Sequence, residues 1–101
     1  MIAARLGETL AGAGQFTAFI PSGSSTTTVK SGAGRLCRIS ITAGGTTSFT
    51  VFDNTTGSGN AIYTSPATTT TGTVLDIQMP ANIGITIVNQ ALGAAFAVSF
   101  S

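Results

Sequence analysis

From Phe16 to the end, the chain alternates apolar and polar residues with a period of two, in short runs broken by Gly, Pro or Ser/Thr clusters. RLCRISIT (35–42) places Cys37, Ile39 and Ile41 on one face and Arg38 and Ser40 on the other. TTSFTVFD (46–53) opposes Phe49 and Val51 to Thr50 and Phe52, and AIYTS (61–65) is short and ends at Pro66. TVLDIQM (73–79) sets Leu75, Ile77 and Met79 against Val74 and Asp76, and Pro80 is expected to stop it. ITIVN (85–89) and FAVSF (96–100) complete this set, while FTAFI (16–20) and TTTVK (26–30) add two more runs around the turn PSGSS (21–25). Alternation of this kind, punctuated at close intervals, is the pattern of half-buried strands in a sandwich or small barrel. The expectation is a single all-β domain over 15–101, an antiparallel β-sandwich of seven or eight strands, with residues 1–14 as an N-terminal arm.

The arm differs in pattern. Ile2, Leu6 and Leu10 recur every four residues, but Gly7, Gly12 and Gly14 oppose a stable helix, since each costs about 1 kcal/mol relative to Ala in a helix interior. An apolar segment that cannot fold alone docks on its own domain, on a neighbouring copy or on a larger partner.

Composition narrows the function. The chain is 43% hydrophobic and only 7% charged, against about 25% charged in ordinary soluble domains. Little charge repulsion keeps copies apart, so self-association is expected. The four basic residues Arg5, Lys30, Arg35 and Arg38 do not form a stripe, and the one tyrosine, Tyr63, is no stacking platform. Nucleic acid is therefore not an expected partner. Nor is a membrane, because no run approaches the ~18 apolar residues of a span and the opening MIAARLGETLAGAG has no continuous apolar stretch of the signal-peptide kind. Cys37, the one cysteine, excludes an internal disulfide and reads as a small buried hydrophobe.

Candidate chemistry is sparse. With no histidine, triads that use an imidazole base are excluded. Asp53 and Asp76 lie on strands as a conceivable glycosidase pair, but nothing around them suggests a pocket that would raise one pKa, and the chain is not expected to be an enzyme. The loop DNTTGSGN (53–60) has one carboxylate, too few for a calcium site. It reads as a turn, in which Asp53 and Asn54 bond their own backbone and Gly57 and Gly59 supply positive φ. In SGAGRLCR (31–38) the glycines precede a strand rather than a helix, so Gly32 and Gly34 turn the chain and do not cradle phosphate. Arg35 and Arg38 would then project from the strand, suited to fork-shaped contacts with a partner's carboxylates. The Ser/Thr-rich patches 22–28 and 65–73 read as exposed loops or edge strands, with a hydroxyl surface for another protein or a glycan as the alternative. No cofactor is implied.

Taken in order, KSGAGRLCRISI (30–41), a Gly-Gly turn, SFTVFDNTTGSGNAIYT (48–64) and GITIVN (84–89) resemble a run in small virion proteins of tailed bacteriophages. There a Gly-x-Gly-Arg-Leu strand entry leads to a strand ending in a Tyr/Phe-Asp-Asn-Thr turn with Ser-Gly, and a Gly-hydrophobic-Thr-Val strand follows. The resemblance covers about residues 30–101, and Gly32, Gly34, Arg35, Leu36, Asp53, Asn54 and Gly59 match its pattern. It implies a jelly-roll-like sandwich on the capsid exterior: a decoration or cement protein, commonly a homotrimer, made in the host cytoplasm and bound to the major capsid protein. Phe16, Phe19 and Ile20 near the arm, with Arg35 and Arg38, are candidate subunit or capsid contacts, and ordinary core is the other reading of the three apolar residues. A head fibre, or a receptor- or carbohydrate-binding module using Tyr63 with Asn54 or Asn60, is the alternative. A pilus or surface-layer subunit would share the composition.

Overall fold

The computed structural model describes residues 16–101, and the expected arm, 1–14, lies outside them. Eight strands follow one another: β1 (Phe16–Ile20), β2 (Thr26–Ser31), β3 (Gly34–Ala43), β4 (Thr50–Asp53), β5 (Asn60–Thr64), β6 (Val74–Ala81), β7 (Gly84–Val88) and β8 (Ala95–Phe100). They form two antiparallel four-stranded sheets, ordered β1-β8-β3-β6 and β2-β7-β4-β5. The pairs β1–β8, β2–β7, β3–β6 and β4–β5 are those of one long hairpin, with its tip at the β4–β5 loop, rolled so that β3–β8 and β4–β7 also meet. This is the strand order of a jelly roll, and the expected β-sandwich is the observed fold.

The inner faces carry the residues that alternation assigns to them. Ile39, Ile41, Val51, Ile85, Ile87, Phe96 and Val98 are fully or almost fully buried, and Phe49 stacks on Phe96 with ring centroids 4.1 Å apart. Cys37 is buried too, and burial pushes its thiol pKa up. Ile20, a candidate contact with core as its other reading, is wholly inaccessible and belongs to this core. The physical reason is register: Ile20 pairs with Phe96, which in turn pairs with Ile41, and all three lie on the inner face.

Three expectations shift at irregularities. The residues 46–49 are not strand, although Thr47 makes an isolated parallel bridge to Gly93. Strand β6 runs through Pro80 to Ala81. It is an edge strand, where a missing N–H leaves no ladder bond unmade. The β3–β6 register slips between Leu36 and Arg38; on β6 that slip falls at Gln78, whose φ is +54°. Beyond it Met79, assigned to the inner row by alternation, is 44% exposed.

Candidate binding surface

The β4–β5 loop is the first place to look for a site, and it is a lock. The Asp53 Oδ1 accepts backbone N–H groups from Asn82 (2.9 Å), Ile83 (2.8 Å) and Gly84 (3.4 Å), tying the hairpin tip to the β6–β7 turn. Chiefly the Ile83 bond, then the Asn82 bond, hold its carboxyl below the ordinary value. Asn54 closes the loop on itself, donating to the Ser58 carbonyl and accepting from the Thr55 N–H. Its own carbonyl accepts from the buried Thr86 hydroxyl at 2.7 Å. Gly59 has the expected positive φ, +106°. Gly57 does not, and the expectation for it is corrected. It is glycine for want of room, since a Cβ there would lie 2.8 Å from a Val88 methyl and 3.3 Å from a Thr26 methyl. The loop thus folds back over β2 and β7.

A similar division holds at the entry to β3. Gly32 has φ +109° in open space, so it makes the turn. Gly34 lies within the strand, and a Cβ there would collide with the Ser101 carbonyl oxygen and with the Lys30 stem. The arginines that follow both have partners within the chain. Arg35 donates from Nη1 to the Gln78 carbonyl (2.7 Å), bracing the β6 irregularity. Arg38 faces Asp76 at 3.7 Å, both side chains about half exposed or more. A pair so placed contributes little to stability, and its charges stay accessible to a partner. Asp53 and Asp76 lie on different sheets, each with its own partners. Among the described residues, no three His, Cys, Asp or Glu side chains gather as metal ligands.

The outer face of the β1-β8-β3-β6 sheet is the surface on which the expected contacts fall. One cross-strand row reads Phe19, Ala97, Ser40, Val74. Its ends are large and apolar, with Phe19 60% and Val74 61% exposed, and its middle is small. The next row reads Thr17, Ser99, Arg38, Asp76, and it carries the one ion pair found among the described residues. Phe16, at the end of β1, is half exposed and packs on Phe100, with centroids 5.6 Å apart. The structure therefore brings Phe19 and Arg38 to one face, puts Phe16 at its rim, and removes Ile20 from it. Sequence reasoning missed Val74, whose signal was its place in the polar half of an alternating strand.

At the end of the sandwich formed by the β1–β2, β3–β4, β5–β6 and β7–β8 loops, Leu92 is 73% exposed with φ +66°. Its carbonyl accepts the Thr46 N–H at 2.8 Å. Beneath this end the buried Asn89 side chain donates to the carbonyls of Pro21 and Ala94, joining two of the loops. Tyr63 packs on Phe49 and lines a cavity with the β5–β6 loop, away from Asn54 and Asn60.

Fold and surface together define an eight-stranded sandwich in jelly-roll order, with exposed Phe19 and Val74 and the Arg38–Asp76 pair on one outer sheet face. No family model, no curated protein and no solved structure matches this chain.

Proposed function

We propose that the chain is a structural virion protein that binds the outside of a tailed-phage capsid as a homo-oligomer, in the manner of a decoration or cement protein. The observation that carries this reading is the Phe19–Ala97–Ser40–Val74 row, whose two ends are exposed apolar side chains on a sheet face, with the Arg38–Asp76 ion pair in the next row. Interface cores bury aromatic and aliphatic side chains, and Phe19 and Val74 are such side chains left exposed on this face. The ordered likeness of residues 30–101 to small phage virion proteins supports the same reading, as does a jelly-roll strand order.

The mechanism is thermodynamic. A protein that binds the assembled shell and not its separated subunits stabilises the shell by mass action. Weak contacts add when one oligomer spans several subunits and geometry lets them engage together. Phe19 and Val74 supply apolar contact, and Arg38 and Asp76 supply orientation by complementary charge.

The test is sedimentation of the purified protein with shells of the phage that encodes it, stripped of decoration, with stoichiometry measured in the co-migrating fraction. Saturation at a fixed ratio to the major capsid subunit is the expected result. A protein that remains at the top of the gradient as a free oligomer sinks the cement reading. A chain lacking residues 1–14, run in parallel, reports whether that segment contributes to shell affinity.

A further inference from the structure

We propose that the cavity between Tyr63 and the β5–β6 loop binds one neutral sugar residue. It is a recess open to solvent, of about 200 Å³, lined by Ile41, Leu75, Tyr63, Pro66 and the threonines 68, 69, 70 and 73. At about 30 Å³ per water molecule, that is room for roughly six or seven waters, or one pyranose ring. The proposal does not rest on capsid binding.

The loop is built rather than loose. Thr69 donates its N–H to the Gly45 carbonyl, and its hydroxyl accepts the Gly45 N–H, both at 3.0 Å. The Thr71 hydroxyl accepts the Gly44 N–H at 2.8 Å. Gly72 N–H to the Ile41 carbonyl and Ile41 N–H to the Thr73 carbonyl, each 2.8 Å, fasten the far end. At the near end the Ser65 hydroxyl accepts the Phe49 N–H while Ser65 N–H donates to the Phe49 carbonyl. The wall is therefore pre-formed, and binding orders little new chain.

Within that wall the threonines divide. Thr69 and Thr71 spend their hydroxyls on the backbone of 44–45. Thr68, Thr70 and Thr73 line the cavity, and no partner for their hydroxyls is found among the described residues. The same holds for the Tyr63 phenol, which is protonated at neutral pH and able to donate. Ile41, Leu75 and Pro66 give the cavity apolar wall. An apolar ligand would strip water from these hydroxyls without replacing their bonds. An anion or cation would meet no opposite charge, since no charged side chain lines the site. A neutral polyol with one C–H face satisfies both kinds of wall: hydroxyl to hydroxyl, and C–H to ring or alkyl.

The experiment is an amide-resonance titration of the full chain with D-glucose, D-galactose, D-mannose, L-rhamnose and N-acetyl-D-glucosamine at millimolar concentrations. The expected result is a saturable shift for at least one sugar, centred on residues 63–75. Methyl glycosides separate the end of a glycan, which they mimic, from a free reducing sugar. The double variant Thr68→Val with Thr70→Val changes exposed side chains, and its spectrum reports whether the fold persists. It should bind about five- to tenfold more weakly, the loss expected for unmade hydrogen bonds. No saturable shift with any of the five sugars overturns the proposal, and so does unweakened binding by the folded double variant. Capsid sedimentation of the double variant should be unchanged, so the two readings fail separately.

Discussion

Asp53 and Ile83, thirty residues apart, are joined by a 2.8 Å hydrogen bond from the Ile83 backbone N–H to the Asp53 carboxylate. With the bonds from Asn82 and Gly84, one carboxylate oxygen fixes the β6–β7 turn against the tip of the β4–β5 hairpin. These bonds hold the folded-state pKa below the ordinary 3.8. A carboxylate shifted in that direction stabilises the fold above its unfolded pKa, and the contribution is lost as the pH falls through the folded value. Melting temperature should therefore decline as the pH drops below about 4. Asp53→Asn should start lower at neutral pH and show a flatter decline. Thermal melts of both proteins across the acid range make the comparison, and parallel curves would remove Asp53 from the account.

Gly57 lacks room for a side chain, although its backbone conformation is ordinary. Gly57→Ala should destabilise by about 1–3 kcal/mol, the usual effect of an overpacked methyl. Pairing it with Val88→Ala removes the nearer obstacle, so the two changes together should cost less than their sum. Denaturant unfolding of the double-mutant cycle measures this, and strict additivity would deny the contact.

Phe19 and Ile20 are adjacent in sequence and opposite in role. Ile20→Ala empties a core position and should cost about 2–5 kcal/mol. Phe19→Ser changes an exposed position and should stay within about 0.5 kcal/mol of the parent in the isolated domain. If the outer sheet face is the binding surface, Phe19→Ser releases the protein from shells while its melting temperature holds. Retained shell binding would move the interface elsewhere.

Cys37 is buried, and its thiol is pushed up by the loss of water around it. Native protein should react with an aromatic disulfide reagent only as fast as it unfolds, and denaturant should release one thiol promptly. Fast labelling of native protein would show that the β3 strand opens locally.

Most of the strands were legible because alternation is a local signal. Phe49, Val51, Ile39 and Ile41 fall inside as their spacing requires. Irregularities were not legible. The slip at Gln78 turns Met79 outward, and no residue type there announces a positive φ. Ile20 could be read as core or as contact, because a strand of five residues offers too little pattern to choose its inner face; it is core. The Asp53-Asn54 turn could be read as a turn, but its partners lie across a strand order that period-two patterning does not encode. The threonine run 68–71 shows the same limit: Thr69 and Thr71 hold the backbone of 44–45 with their hydroxyls while Thr68 and Thr70 do not, a difference that identical residues cannot announce.

The position of β8 has a consequence for how the molecule is made. It is the last of the eight strands, yet it lies inside its sheet, between β1 and β3. Strand β1, made first of the eight, finds its ladder partner only in residues 96–100. Until those residues leave the ribosome, the nascent chain has a gap in one sheet, with two strand edges facing it. Closure of the sandwich waits for β8, which slots between strands made before it and seals the edges that would otherwise pair with a neighbour.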